Sequence, residues 1–183
     1  AQFVRRAVQN GAGKVATVCG DRVRDWGTFA LRMRRLAGAM QAMGFKPGDR
    51  IGILALNSDR YLEALFGLSH GGFVFVPINT RLAPPEIVFW LADSGCRALF
   101  VDDAFVPVLP QVLPETPDIT RVVYMGEGAT PAGMARHDEV IEAGRELAES
   151  IGSNNDLTGL FYTGGTTGRS KGVMLSHNNI MSS

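Results

Sequence analysis

The segment Tyr162-Thr163-Gly164-Gly165-Thr166-Thr167-Gly168-Arg169-Ser170-Lys171-Gly172-Val173 gathers backbone freedom, hydroxyls and positive charge in one short stretch. Gly164, Gly165 and Gly168 let the main chain approach an anion closely and turn its N–H groups toward it. Thr163, Thr166 and Thr167 add hydroxyl donors, and a Thr oxygen can also coordinate Mg²⁺. Lys171 supplies the counter-charge, with Arg169 nearby. Hydrogen bonds to a charged group contribute about 1.5–3 kcal/mol each, so several together can hold a polyphosphate tail. The same composition also suits a solvated Gly-Thr turn. The lysine weighs against that plain reading. The chain's lysines are Lys14, Lys46 and Lys171, and every other Lys/Arg position is Arg.

Two familiar phosphate motifs do not fit. A Walker A loop needs Gly-Lys-Ser/Thr after its GxxxxG; here Lys171 is followed by Gly172 and is separated from Gly168 by two residues. The dinucleotide fingerprint GxGxxG is missing too, since Gly11-Ala12-Gly13 has Ala16 where a third Gly is needed. A switch-type GTPase and a Rossmann dehydrogenase are thereby disfavoured.

The elements before the loop must position it. Lys14 to Trp26 reads as two short strands around Gly20-Asp21-Arg22, after which Thr28 offers an N-cap. Phe29, Met33, Leu36, Met40 and Met43 then share one helical face, with Arg32, Arg34 and Arg35 turned to water. Gly44 ends that helix, and Lys46-Pro47-Gly48-Asp49 is a turn. Arg50 to Leu56 is apolar on both faces, as a central buried strand is. The pattern repeats: a helix from Asp59 to about Ser69 carrying Tyr61, Leu62, Leu65 and Phe66 inward, then a strand over Phe73–Val76. A helix opened by Pro84-Pro85 and closed by Gly95 leads to a strand over Ala98–Val101. The prolines at 107, 110, 114 and 117 leave room for only a short helix before a strand over Arg121–Met125. His137 to Glu149 reads as an amphipathic helix, and Leu157 to Tyr162 as the strand that feeds the loop. Strands alternating with helices imply crossovers and a mostly parallel sheet flanked by helices, an α/β fold.

Lys plus Arg and Asp plus Glu are 18 each in 183 residues, so bulk charge recommends neither nucleic acid nor an anionic membrane as partner. No apolar run approaches the roughly 18 residues of a transmembrane segment, and the first residues hold no apolar signal stretch. Cys19 and Cys96 lack metal-ligand spacing and read as reduced and buried, as expected of a cytoplasmic protein.

On these residues the sequence resembles the adenylate-forming (AMP-binding) enzymes, among them acyl-CoA synthetases, peptide-synthetase adenylation domains and luciferases. The loop from Tyr162 to Val173 is similar to the family's signature loop, with Ser170 where the family usually has Pro. Trp26-Gly27-Thr28-Phe29, Gly44 to Ile51, and His70 to Asn79 with Arg81-Leu82 resemble further family blocks. The resemblance implies that residues 1–183 are the first part of a large N-terminal AMP-binding domain. The C-terminal lid domain, the acidic nucleotide motifs and the catalytic Lys would lie beyond them. Ala1 in place of an initiator Met agrees with a fragment, expected to be inactive alone and to hold no catalytic residue of its own. The implied reaction is an acid–thiol ligation with ATP, Mg²⁺ and coenzyme A. A fatty or other carboxylic acid becomes acyl-AMP and passes to coenzyme A. Thr163, Gly164, Gly165, Thr166, Thr167, Gly168 and Lys171 would hold the phosphates, with Mg²⁺ at Thr166. An adenylation domain loading a carrier protein, or a non-catalytic nucleotide-binding module favoured by Ser170, stays open, as does self-association into a homo-oligomer.

Other polar residues read as structural. Ser176 or Asn178 caps a helix beside His177. His70 lies at a helix end beside Gly71, where a partial positive charge suits the dipole, and has no ligand role. His137, Asp138 and Glu139 read as a helix N-terminus rather than a metal site, and Asp102-Asp103 as a solvated turn.

Overall fold

The computed structural model describes residues 2–164 and 170–182. Helix α1 (Gln2–Gly11) precedes a two-stranded antiparallel sheet of β1 (Val15–Cys19) and β2 (Arg22–Asp25). Helix α2 (Trp26–Ala42) follows at once. Its cap is Asp25, not Thr28: the Asp25 carboxylate accepts the Thr28 N–H at 2.6 Å. The helix starts three residues earlier than the hydroxyl signal suggests because Asp is the stronger acceptor for an orphan N–H.

The main sheet is built from β3 (Arg50–Leu54), β4 (Val74–Pro77), β5 (Cys96–Val101), β6 (Arg121–Tyr124), β7 (Ala135–Arg136), β8 (Leu157–Thr163) and β9 (Lys171–Ser176). Its order is β7-β6-β5-β3-β4-β8-β9. Every neighbouring pair is parallel except β8 and β9. The mostly parallel α/β architecture is thus as the alternating pattern predicts. Helices α3 (Asp59–His70), α4 (Pro84–Ser94), α5 (Leu109–Val112), α6 (His137–Ala143) and α7 (His177–Met181) complete the chain. Gly95 closes α4 with φ +66°, a left-handed conformation that glycine adopts without strain.

Both faces of the sheet are covered, which is what the uninterrupted apolar strands demand. On one face α2, α3 and α6 pack Leu36, Met40, Ala64, Leu68, Val140 and Ile141 against Ile51, Ile53, Phe75 and Phe100. On the other, α4 and α5 pack Ile87, Trp90, Leu91, Leu109 and Val112 against Leu54, Val76, Leu99 and Val101.

Two expectations fail here. Helix α3 buries Asp59, Arg60, Glu63, Ala64, Gly67 and Leu68, while Leu62 is exposed. Its inward face carries charge, which an apolar-periodicity count passes over. Helix α6 stops at Ala143 rather than running to Glu149, because the chain there crosses α2 at backbone contact. A Cβ on Gly144 would stand 2.2 Å from the Arg35 carbonyl oxygen, and one on Gly38 would stand 2.0 Å from that of Arg145. Leu147 N–H then donates to the Arg34 carbonyl at 3.2 Å.

That crossing has no room for a side chain on either strand of contact. Gly38→Ala should therefore destabilise the chain by about 1–3 kcal/mol, the usual cost of overpacking, read as a lower urea midpoint at unchanged m-value.

Candidate functional site

Strand β8 joins the sheet parallel to β4, with Phe75 opposite Gly159. A side chain at Gly159 would collide with Phe75 and Phe161, each 2.9 Å from its Cβ position, so glycine lets these two rings meet edge to face at 5.7 Å. The parallel sense sends the end of β8 to the carboxyl edge of the sheet, where ligands bind in open α/β folds. There the chain turns and returns as β9, whose pairing with β8 runs from Leu157–Ser176 to Thr163–Lys171. The proposed phosphate loop is therefore the connection of a hairpin, and Thr163 and Lys171 form its last register pair.

The structure brings Thr163, Gly164 and Lys171 together at that neck, all exposed. A Cβ at Gly164 would meet nothing within 4 Å. Gly165, Thr166, Thr167 and Gly168 lie outside the described residues, as does Arg169. The return strand β9 escapes the sequence reading; its signal is the apolar run Val173-Met174-Leu175 directly after Gly172. Tyr162 also escapes it as a contact residue. Its ring stacks on Trp90 of α4 at 4.7 Å with 21° between planes, and its hydroxyl donates to Asp93 Oδ2 at 2.6 Å. Burial first, and the Asp93 carboxylate second, push the Tyr162 phenol well above its usual range.

A second polar assembly lies on the opposite side of α3. Arg22 donates to both oxygens of Asp59 at 2.9 and 2.8 Å, and Arg24 pairs with Asp59 and Glu63. Arg32 donates to Glu63 at 2.6 and 3.0 Å and pairs with Asp138. Arg60 donates to Asp138 and Glu127, each at 2.8 Å, and to the carbonyls of Met125 and Gly126. Arg32 is thus an inward ion-pair partner, not part of a solvated face. The carboxylates of Asp59 and Glu63 are fully buried. Burial alone would raise the Asp138 carboxyl, but the Arg32 hydrogen bond and the Arg60 and Arg32 charges hold it below the usual carboxylate range.

His137 is fully buried at the edge of this cluster, 3.8 Å from Glu63 and edge-on to Phe100. Burial, joined by the nearby guanidiniums, holds its imidazole well below the ordinary histidine range. His70 is lowered by burial as well, and its Nε2 lies 2.7 Å from the Leu147 carbonyl. It serves as a neutral donor there, not as the charged partner of a helix dipole. His177 Nδ1 stands 3.4 Å from Ser69 Oγ, and Ser176 caps α7 as its sequence suggests. Asp102 accepts the Leu56 N–H and Asp103 the Glu127 N–H, both at 2.7 Å, so these carboxylates tie strand ends together. Among the described residues no group of three or more His, Cys, Asp or Glu is placed to hold a metal. No helix among them is long and apolar enough to cross a membrane. Cys96 is buried and free, its thiol pushed up to about 11 by that burial; Cys19 is free and only half-buried.

A protein-family model described as AMP-binding enzyme matches residues 3–183. The 3-methylmercaptopropionyl-CoA ligase of Ruegeria lacuscaerulensis is 36% identical over 84% of this chain. The fatty acid–[acyl-carrier-protein] ligase ScoC of Streptomyces coeruleorubidus is 36% identical over 88% of it. The chain spans 30% of the length of each. The crystal structure of the anthranilate CoA ligase AuaEII with anthranoyl-AMP superposes with a TM-score of 0.90 at 28% identity, covering 96% of this chain and 34% of that one.

The buried histidines set the acid response. Their folded pKa lies below the unfolded value of about 6.5, so as pH falls through that value the unfolded chain takes up protons the folded one refuses, and stability falls. Asp138 works the other way: its contribution is intact above about pH 4 and is lost only as pH falls through its depressed value. Urea midpoints should therefore decline from pH 7 toward pH 4, and His137→Gln should flatten that decline. An equal slope in the variant contradicts the assignment.

Proposed function

Since this chain belongs to the AMP-binding enzyme family, we propose that it is the N-terminal portion of the AMP-binding domain of an ATP-dependent acid–thiol ligase acting in the cytoplasm. The observation that carries this reading is the hairpin neck, where Thr163 and Lys171 pair at the carboxyl edge of a parallel sheet. The coverage of 30% of the curated relatives supports the view that further catalytic parts belong to the same enzyme.

In this reading the loop between β8 and β9 receives the β- and γ-phosphates of ATP. The Lys171 ammonium faces the charge that grows on the pyrophosphate as it leaves, and stabilisation of that developing charge is what accelerates the step. A carboxylate oxygen attacks the α-phosphorus, pyrophosphate departs, and an acyl-AMP results. The thiol of coenzyme A then attacks the acyl carbon and AMP leaves, because AMP is a far better leaving group than a carboxylate oxygen. The acid is a fatty or other carboxylic acid. Mg²⁺ at Thr166 rests on the family resemblance alone, since Thr166 lies outside the described residues. The likeness to ScoC supports a second acceptor, the thiol of a carrier protein.

The isolated 183 residues should form no acyl-AMP in a hydroxylamine-trapping assay. In the enzyme extended to the length of its relatives, Lys171→Ala should slow ATP–pyrophosphate exchange about 10- to 100-fold, or about 1.4–2.8 kcal/mol of transition-state stabilisation. Acyl-AMP from the short chain refutes the fragment reading; an unchanged exchange rate removes Lys171 from its role.

A further inference from the structure

Resting on that phosphate reading, we infer that Tyr162 is a positioning residue: anchored by Trp90 and Asp93, it fixes where the hairpin neck presents Thr163 and Lys171. Along β8, Leu160 and Tyr162 pack on the α4 face of the sheet and Phe161 on the α3 face. By strand alternation Thr163, and Lys171 opposite it, leave on the Phe161 side. Tyr162 therefore holds the neck from behind.

The hold has three parts. Trp90 is buried and stacks on the ring. Asp93, one turn further along α4, accepts the hydroxyl. Gly172, opposite Tyr162 in the ladder, leaves room for the ring to lie across the return strand: a Cβ there would stand 3.3 Å from Tyr162 Cζ and 3.4 Å from Cε2. The abutment itself is stiff. Helix α4 opens on Pro84-Pro85, its Glu86 carboxylate accepts the Ala83 N–H at 2.9 Å, and Gly95 closes it. The ring thus spans from a fixed helix to both strands of the hairpin, one residue before the Thr163–Lys171 pair.

The test is the affinity of the 183-residue chain for inorganic tripolyphosphate, measured by calorimetry at a temperature where circular dichroism shows every variant folded. Tyr162→Phe keeps the stack and loses the hydrogen bond; Asp93→Leu removes the acceptor; Asp93→Asn keeps an acceptor oxygen. Tyr162→Phe and Asp93→Leu should each weaken binding about three- to tenfold, the scale of one lost hydrogen bond. Asp93→Asn should restore it, a rescue that loss of general stability would not produce. Lys171→Ala is the control for the site. If Lys171→Ala weakens binding while Tyr162→Phe and Asp93→Leu do not, the positioning role is overturned and the phosphate site stands. If Asp93→Asn is as weak as Asp93→Leu, the hydrogen bond is not the cause and the inference fails. If the wild-type chain binds no tripolyphosphate, or Lys171→Ala binds as well as wild type, the phosphate reading falls and takes this inference with it.

Discussion

The parallel pairing of β8 with β4 decides at which edge of the sheet the Thr163–Lys171 neck stands. A strand entering beside β4 in the other sense would deliver the Gly-Thr loop to the amino edge of the sheet, away from the ends of β3 and β4. The pairing is fixed by packing: Phe75 and Phe161 meet over Gly159, and Phe161 continues into the core under α3. The loop's place follows from this burial, and its neck is then held by the ladder to β9 and by the Tyr162 contacts with α4.

The charged cluster around α3 supplies a different constraint. It ties β2, α2, α3 and α6 through ion pairs among Arg22, Arg24, Arg32, Arg60, Asp59, Glu63, Glu127 and Asp138. Burying charge costs several kcal/mol per ion, and the cost is offset only when every group is paired. The cluster therefore specifies one arrangement of these elements rather than adding large net stability. It also explains the neutral His137 at its edge: a proton there would place a further cation beside the guanidiniums.

Much of this was legible in the sequence wherever the cause is local. Gly95 ends α4, Pro84-Pro85 opens it, and the apolar runs over 50–56, 73–76 and 98–101 hold β3 (Arg50–Leu54), most of β4 (Val74–Pro77) and the end of β5 (Cys96–Val101), because turn chemistry and burial on both faces leave marks within a few residues. What could not be read depends on partners far along the chain. The inward charges of α3 answer Arg22, Arg24 and Asp138, and α6 stops where Gly38 and Gly144 allow two backbones to touch. Of the candidate site, the residue types and the closing lysine stand in the sequence itself. The return of β9 and the hold on Tyr162 were not, since the partner Asp93 stands 69 residues earlier.

The central claim is that an anion sits at the neck formed by Thr163 and Lys171. Titrating the ¹⁵N-labelled chain with ATP and following its backbone amides tests this most directly. A grip on the phosphates requires the largest, saturable shifts at Thr163, Gly164, Ser170 and Lys171, with Arg50 and Val74 at the amino edge of the sheet unmoved. Shifts centred at that amino edge, or none at the neck at saturating ATP, would contradict it.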